Sequence, residues 1–298
     1  MEKVMRTKQV RVLSILLSLM LVFGTMCAVP AFAGESAEDF TIGSIDDLYY
    51  LESLVEDRAA GSANAPSVGV YNVTLMTDLD LSGMEWDGIG IPQSFIGFSG
   101  TFDGNGHTIT VELNNSANVG PKGGLFNLTY NAAVTDLTVT GTVSSTRFVG
   151  GLVGRVMGNF TASNCNIDGM TLSLSNGANN SVGGLIGQCG SGGGGGTGGG
   201  TGSSGGTQGT VSINGGTITG NFVSTSSTNP VGGVFGHIYS GYNASVTGVT
   251  MNAALTGQIT GLYAGNNASN LTLTNCSPSP SVAGAAGVNT GTITINLQ

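Results

Sequence analysis

The second half of the chain lacks charge. Asp168 is the last Asp, Glu, Lys or Arg in the 298-residue sequence, and after it Thr, Ser, Asn and Gly supply the polar groups. Disordered segments usually combine high charge with few β-branched residues. Because this half is rich in Val, Ile, Thr and Leu, we expect it to be ordered and to form β-strands.

Basic residues are also scarce. Four of the eight basic residues and one of the 17 acidic residues lie in 1–33, which leaves 4 basic against 16 acidic residues and a net charge of −12 for the rest. Proteins that bind nucleic acid displace counterions from phosphates with Lys and Arg. This balance argues against nucleic acid as a partner.

An uncharged apolar run, 12–29, follows the basic N-terminus and precedes the triplet Ala31-Phe32-Ala33. This order is typical of a secretory signal peptide that is cut after Ala33. The run is nearly long enough to span a bilayer, so an uncleaved anchor stays an alternative. The sequence predicts a bacterial protein that is secreted or on the cell surface, with no membrane span after cleavage.

A double-glycine phrase recurs along the chain. Its copies are VGGLVGRV (149–156), VGGLIGQC (182–189), VGGVFGHI (231–238) and a degenerate KGGLFNLT (122–129). Successive copies stand 27, 33 and 49 residues apart, and the longest interval falls to 29 without a 20-residue glycine-rich insert, 190–209. A weaker GLYAG (261–265) continues this spacing when its first glycine is aligned with Gly233. A period near 28 indicates a repeat architecture.

Short β segments with Gly, Asn or Ser turns lie between the copies, as in VSINGGTI (211–218) and NLTLTNC (270–276). At about 3.3 Å per residue, two or three such segments form one coil of a solenoid, which stacks about 4.8 Å from the next. Glycine is then needed where the chain turns a corner and where coils approach closely. The sequence predicts an all-β solenoid.

The position after the third glycine varies freely between copies, as Arg155, Gln188 and His237. We expect such a tolerant position to face solvent. Strict alternation then places Leu152, Leu185 and Val234 inside. The same alternation would point the next apolar residues outward, and these are Val153, Ile186 and Phe235. Two explanations stay open: the strand bends at the third glycine, or that outer face is covered.

The N-terminal region has a different pattern. Residues 45–59 are predicted to form a capping helix with Ser44 and Asp47 as a capping box, and its apolar face is Ile45, Leu48, Leu51, Val55 and Ala59. Residues 71–83 read as one alternating strand. Residues 95–113 read as a hairpin-like pair around the turn 103–106.

The phrases GGLVG, GGLIG and GGVFG resemble the GLUG motif, whose core is Gly-Leu-apolar-Gly. The lead-in segments SIDDLYYLESLV, LMTDLDLSGMEWDGIG and FSGTFDGNGHTI are also similar to that family, so the resemblance covers nearly all of 40–270. GLUG regions are β-solenoids in bacterial secreted and surface proteins, including adhesins and the non-catalytic region of immunoglobulin-A-cleaving metalloproteases. The resemblance implies a right-handed parallel β-helix and carries over no functional residue.

The predicted organisation has three parts. A signal peptide, 1–33, precedes an N-terminal segment with the capping helix, 34–70, and a GLUG-type solenoid, 71–298, that includes the glycine-rich loop 190–209. The loop reads as a tolerated insertion, with a binding role as the alternative.

Three cysteines follow the signal peptide. Cys165 and Cys276 stand at equivalent points three coils apart, about 14 Å at 4.8 Å per coil, which exceeds the reach of a disulfide. Cys189 is less easily excluded as a partner of Cys165. An odd number favours buried free thiols.

Catalytic motifs are missing or fail on context. A zinc protease of the HExxH type needs two histidines on adjacent turns of one helix, whereas His107 and His237 stand far apart in the sequence, in strand-like contexts, and read as structural. The GSSGG match around Ser204 lacks the strand and helix of a nucleophile elbow. We predict no catalytic residue and no cofactor.

Asp78 and Asp80 are the weak exception. Two residues apart on one predicted strand, their carboxylates share a face, a spacing that suits a cation or glycoside hydrolysis. The segment DLDLSG begins like a calcium loop, but Ile89 stands where the bidentate Glu is required. Glu85, Asp87 and Asp103 lie nearby in sequence. We predict no metal, with Asp78 and Asp80 as the weak candidates.

The combined features favour an exported adhesion or interaction module that contacts glycans or host and matrix proteins through Thr, Asn and Ser surfaces. A passive spacer or envelope component is the alternative. A carbohydrate-active enzyme that uses Asp78 and Asp80 comes third.

Overall fold

The structure is a computed structural model that describes residues 37–57, 70–114, 123–175, 180–190, 208–279 and 281–296. All of them belong to one compact unit, Gly34–Gln298. The predicted signal peptide, Ala59 and most of the glycine-rich loop fall outside the described residues.

The described residues form short strands and two helices. The helices are α1 (Ile45–Glu56) and α2 (Val282–Ala285), with a 3-10 turn at Pro92–Ser94. The strands are β1 (Glu38–Ile42), β2 (Val70–Leu75), β3 (Leu79–Asp80), β4 (Phe98–Asp103), β5 (Thr108–Asn114), β6 (Phe126–Thr135), β7 (Thr138–Ser145), β8 (Val149–Gly150), β9 (Val153–Ser163), β10 (Asn166–Leu174), β11 (Val182–Gly183), β12 (Ile186–Cys189), β13 (Gly209–Asn214), β14 (Thr217–Ser224), β15 (Val231–Gly232), β16 (Phe235–Ile238), β17 (Tyr242–Thr247), β18 (Thr250–Thr256), β19 (Thr260–Gly261), β20 (Ala264–Asn267), β21 (Asn270–Thr274), β22 (Ala286–Asn289) and β23 (Thr292–Asn296).

These strands form three parallel sheets. The large sheet runs β1-β2-β4-β6-β9-β12-β16-β20-β22, with β13, β17, β21 and β23 as a branch from β9. The six-stranded sheet runs β3-β5-β7-β10-β14-β18, and the four-stranded sheet runs β8-β11-β15-β19. The chain visits the sheets in turn, so each coil stacks on the one before. The predicted all-β parallel solenoid is therefore confirmed, with about seven turns.

The glycine phrases stack in register, as their spacing predicted. Gly183 pairs with Gly150 on one side and with Gly232 on the other. Gly261 pairs with Gly232 and not with Gly233, so the predicted alignment of the weak copy is wrong by one position. Leu262 stands where the other copies have their second glycine.

The chain bends within each phrase, before the third glycine. β8 ends at Gly150 and β9 begins at Val153, so Leu152 and Val153 straddle a corner. Both side chains are fully buried in the main core, and the same holds for the pairs Leu185/Ile186 and Val234/Phe235. The bend settles the alternative left open by the alternation. A Cβ on Gly232 would overlap the Phe235 carbonyl oxygen, so close approach requires glycine here.

A second corner uses left-handed backbone. Positive φ values of 50–67° recur at equivalent corner positions, which are occupied by Asp136, Asn164, Gly215, Gly248 and Asn275. Each backbone N–H donates across to the next coil, as from Asn164 to the Asn214 carbonyl at 2.8 Å. Because Gly, Asn and Asp tolerate this conformation best, the column explains the recurring Asn and Gly turns.

The three described cysteines, Cys165, Cys189 and Cys276, are buried and free, in agreement with the prediction. Cys165 and Cys276 each follow the left-handed corner residue of their coil. The Cys165 thiol donates to the Val134 carbonyl at 3.5 Å, and the Cys276 thiol donates to the Val246 carbonyl at 3.4 Å. Burial raises the pKa of Cys165 to about 12, so this thiol stays protonated and packs as a small apolar group.

The predicted hairpin around 103–106 is wrong. β4 pairs with β2 and β6, whereas β5 pairs with β3 and β7, so the two strands lie in different sheets. The turn itself is present: Asn105 has φ 51° and its N–H donates to the Asp103 carboxylate at 2.8 Å. An Asp-Gly-Asn-Gly turn can therefore form a solenoid corner between two sheets as well as the turn of a hairpin.

Helix α1 begins as predicted and ends earlier. The Ser44 hydroxyl accepts from the Asp47 N–H at 3.3 Å, and the Asp47 carboxylate accepts from the Ser44 hydroxyl at 2.8 Å. Leu48, Leu51 and Val55 are buried in the main core. The sequence did not predict β1, which precedes the helix and pairs with β2 in the large sheet.

Candidate functional site

The weak metal candidates lie at the N-terminal end of the six-stranded sheet. The predicted strand 71–83 is two strands, β2 and β3, and Asp78 lies between them. The Asp78 carboxylate accepts from the Thr108 N–H at 2.8 Å and lies 3.1 Å from His107 Nδ1. The Thr108 N–H and then His107 hold the pKa of Asp78 below its usual value. Asp80 accepts from the Ser82 N–H at 2.9 Å, and Ser82 lowers its pKa.

Asp78 thus bonds to the next coil and Asp80 bonds within its own turn, and both carboxylates are exposed. Among the residues that the structure describes, no three His, Cys, Asp or Glu side chains converge on a metal site. The absence of a metal and of a catalytic role for Asp78 and Asp80 stays a prediction.

The outer side of the six-stranded sheet carries regular polar rows. Strand pairing places Thr140 beside Thr110 and Asp168, and Thr219 beside Asn252. Two adjacent rows make up what we name the threonine face. The first row is Thr108, Thr138, Asn166, Thr217 and Thr250, and the second row is Thr110, Thr140, Asp168, Thr219 and Asn252. All of them are exposed or half-buried, and Asp168 is the one charge in the set.

The large sheet has a different outer row. Strand pairing aligns Leu128, Arg155, Gln188, His237 and Asn266, which we name the Arg155 row. The predicted equivalence of Arg155, Gln188 and His237 is confirmed. Their predicted exposure is wrong, because Arg155 is 9% exposed, Gln188 is 2% exposed and His237 is half-buried.

Aromatic and apolar side chains cover this row. Leu128, Tyr130 and Met157 form a small buried cluster of their own with Phe95, separate from the main core. Arg155 lies over the ring of Phe148, with 5.3 Å between Cζ and the ring centroid. The outer side of the large sheet therefore has its own packed layer.

The turn after β12 closes over the row. The Gly190 carbonyl accepts from Arg155 Nε at 3.1 Å and from Gln188 Nε2 at 2.9 Å. The rings of His237 and Tyr239 stack with 3.8 Å between centroids and 12° between planes. One carbonyl thereby joins a cation and an amide, and a stacked aromatic pair lies in the same region of the large sheet.

The electrostatics of the row follow from burial. Burial lowers the pKa of His237 to about 4, so this imidazole is neutral at pH 7. Burial raises the pKa of Tyr130 to about 12, although nearby Arg155 opposes the shift. Burial also lowers the pKa of Arg155, which still stays charged at neutral pH. The row presents one cation among neutral groups.

Comparison with solved structures finds a chain of the same fold. It is a Bacteroides ovatus protein described as a putative immunoglobulin A1 protease, with a TM-score of 0.51 and 16% identity. The match covers 88% of this chain and 83% of that chain. No family profile and no curated protein matches the sequence. At this identity the likeness shows the solenoid fold alone, and GLUG membership stays a resemblance.

The sequence contained one signal for the Arg155 row that exposure reasoning missed. Arg155 is the last basic residue of the chain, and the equivalent residues in the neighbouring coils are uncharged. The burial of Arg155, however, involves Tyr130, Phe148 and Tyr239, which lie in other coils or turns. Within the described residues, no helix has the length and apolar character needed to cross a membrane.

Proposed function

We propose that the protein is an exported, non-catalytic β-solenoid that binds a partner through its threonine face. The observation that supports this proposal is the alignment of exposed and half-buried polar side chains, mostly hydroxyls and amides, in rows across five parallel strands. Neighbouring strands are about 4.8 Å apart, and alternate residues along a strand are about 6.6 Å apart. The face therefore offers a regular grid of hydrogen-bonding groups that are neutral except for Asp168.

Such a grid suits a glycan or a host or matrix protein with a hydroxyl-rich or amide-rich surface. Each exposed hydrogen bond contributes little because water competes for the same groups, so affinity comes from many simultaneous contacts. Side chains of the face already bond one another, as Thr219 does to Asp168 at 3.3 Å, and this limits their rotation. Less rotamer freedom is then lost on binding.

The test is a glycan-array and matrix-protein screen of Gly34–Gln298, the compact unit, with immunoglobulin A1 among the proteins. The face variant is Thr140→Lys with Thr219→Lys, which adds bulk and charge to one row. Its matched control is Thr161→Lys with Ser212→Lys, which changes an outer row of the large sheet in the same way. A deletion of 191–207 tests a binding role for the glycine-rich loop.

We expect saturable binding that falls at least about tenfold in the face variant and stays within about twofold in the control. Equal loss in both variants would assign binding to another surface. No binding across both panels would contradict the proposal and favour a passive spacer.

A further inference from the structure

Arg155 is a buried cation that has no anionic partner among the described residues. Its side chain is 9% exposed, and its hydrogen bond to the chain is the one from Nε to the Gly190 carbonyl. The described residues provide no hydrogen-bond partner for its two Nη groups. The groups that act on its charge are Tyr130, Tyr239, Tyr242 and Arg147, with no carboxylate among them.

An unpaired buried charge is expensive, so it is retained where it has a use. A cation is not a general requirement of this row, because Leu128 occupies the row one coil earlier and is fully buried. The chain also has no acidic residue after Asp168 that could neutralise Arg155. An anionic ligand group would account for a charge that the fold neither pairs nor requires.

Two buried polar atoms beside Arg155 are also unpartnered. Within the described part of the chain, the Tyr130 hydroxyl and Gln188 Oε1 have no hydrogen-bond partner, and their side chains are 3% and 2% exposed. The Gln188 amide is oriented by the bond from Nε2 to Gly190, so Oε1 is the free acceptor. Tyr130, Arg155 and Gln188 lie on the adjacent strands β6, β9 and β12.

We propose that this cluster binds an acidic sugar through its carboxylate. The Arg155 Nη groups pair with the carboxylate, the geometry that a guanidinium fork recognises best. The Tyr130 hydroxyl donates to the same carboxylate, and Gln188 Oε1 accepts from a ring hydroxyl. The stacked rings of Tyr239 and His237 offer an aromatic surface to the sugar ring. The site is separate from the threonine face and does not depend on the function proposed for that face.

The donor and acceptor set favours an acidic sugar over simpler ligands. Sulfate has acceptors only, so it would leave Gln188 Oε1 without a donor. A neutral sugar would leave the guanidinium unpaired. A ligand with both a carboxylate and hydroxyl groups satisfies all three buried groups.

The test is a calorimetric titration of the compact unit with methyl β-glucuronide, methyl β-glucoside and sodium sulfate. We expect the glucuronide to bind with a Kd of about 1–10 mM, and the glucoside and sulfate to bind at least about tenfold more weakly. Arg155→Met should weaken glucuronide binding at least about tenfold, and Arg155→Lys somewhat less, because Lys keeps the charge and loses the fork. Tyr130→Phe, which removes one hydroxyl, should weaken it about three- to tenfold.

The matched control is Arg147→Met, which removes an exposed cation close to the site and should change affinity by no more than about twofold. Tyr130→Phe keeps the ring, so it tests the site even where Arg155→Met fails to fold, and circular dichroism checks both. Absent glucuronide binding, sulfate binding of equal strength, or full binding by Arg155→Met would overturn the assignment. The variant Thr140→Lys with Thr219→Lys should bind glucuronide normally, which separates this site from the threonine face.

Discussion

The threonine face and the Arg155 row are both outer rows of parallel sheets, yet they meet solvent differently. The threonine face has short side chains that are exposed or half-buried. The Arg155 row has long side chains, and Arg155 and Gln188 are buried under a turn and an aromatic layer. Position within a repeat therefore sets the direction in which a side chain leaves the sheet. Whether that side chain meets water depends on what the adjoining turns place over it.

The largest effect should come from the double-glycine corner, where the chain passes from the four-stranded sheet into the large sheet. In Gly232→Ala the new Cβ would overlap the Phe235 carbonyl oxygen, so the coil must shift. We expect the free energy of unfolding to fall by at least about 3 kcal/mol, measured by urea denaturation.

The matched control is Gly248→Asn at the left-handed corner, where φ is +65° and a Cβ meets open space. Asn already occupies this corner in other coils, so a loss within about 1 kcal/mol is expected. Equal losses in both variants would mean that close approach does not explain the double-glycine phrase.

The next largest effect is a pH dependence of stability that arises from His237 in the Arg155 row. Burial holds the folded pKa of His237 at about 4, below its ordinary 6.5, so the unfolded chain binds this proton more readily. Stability therefore falls as pH drops from about 6.5 to about 4, by about 1–3 kcal/mol, and this contribution is constant above that window.

His237→Gln should remove that part of the pH dependence, because Gln188 shows that the row accepts glutamine. The difference in unfolding free energy between the two proteins, measured from about pH 7 to about pH 4.5, isolates the effect from carboxylates common to both. A parallel pH profile in the two proteins would show that His237 is not covered.

A smaller effect concerns the cost of the buried cation. Arg155→Met keeps the volume and removes an unpaired charge, so we expect the free energy of unfolding to rise by about 1 kcal/mol. Urea denaturation without added ligand is the measurement. A loss of about 1 kcal/mol or more would assign Arg155 a structural role, since the bond to Gly190 would then outweigh desolvation.

The threonine face should give the smallest effect. Thr140→Val removes a half-buried hydroxyl and keeps the β-branched shape, so the unfolding free energy should change by no more than about 0.5 kcal/mol. Thermal unfolding followed by circular dichroism is sufficient. A larger loss would indicate that the row stabilises the sheet and is not simply available to a partner.

Much of the fold could be predicted from the sequence, because it repeats. The alignment of Gly150, Gly183 and Gly232 follows from their spacing, and strand pairing confirms it. Strand β1 could not be found this way, because it lies outside the repeat and helix α1 separates it from its partner, β2. The hairpin error has a related cause, since turn residues specify a reversal of the chain and not which strand pairs with which.

The candidate site was less predictable than the fold. The equivalence of Arg155, Gln188 and His237 follows from the repeat, but their burial depends on the path of the chain at Gly190. The strict alternation of inward and outward side chains also failed at Leu152 and Val153, because the corner lets two consecutive side chains enter the core. The sequence pattern does not reveal contacts between turns of different coils.

The most direct measurement of the contrast between the two surfaces is an NMR titration of the histidine side chains. The chain has two histidines, His107 and His237, so a His107→Gln variant assigns both imidazole signals. A covered Arg155 row predicts that His237 titrates with a pKa of about 4. A midpoint near the ordinary value of about 6.5 would place His237 in solvent and contradict the covered row.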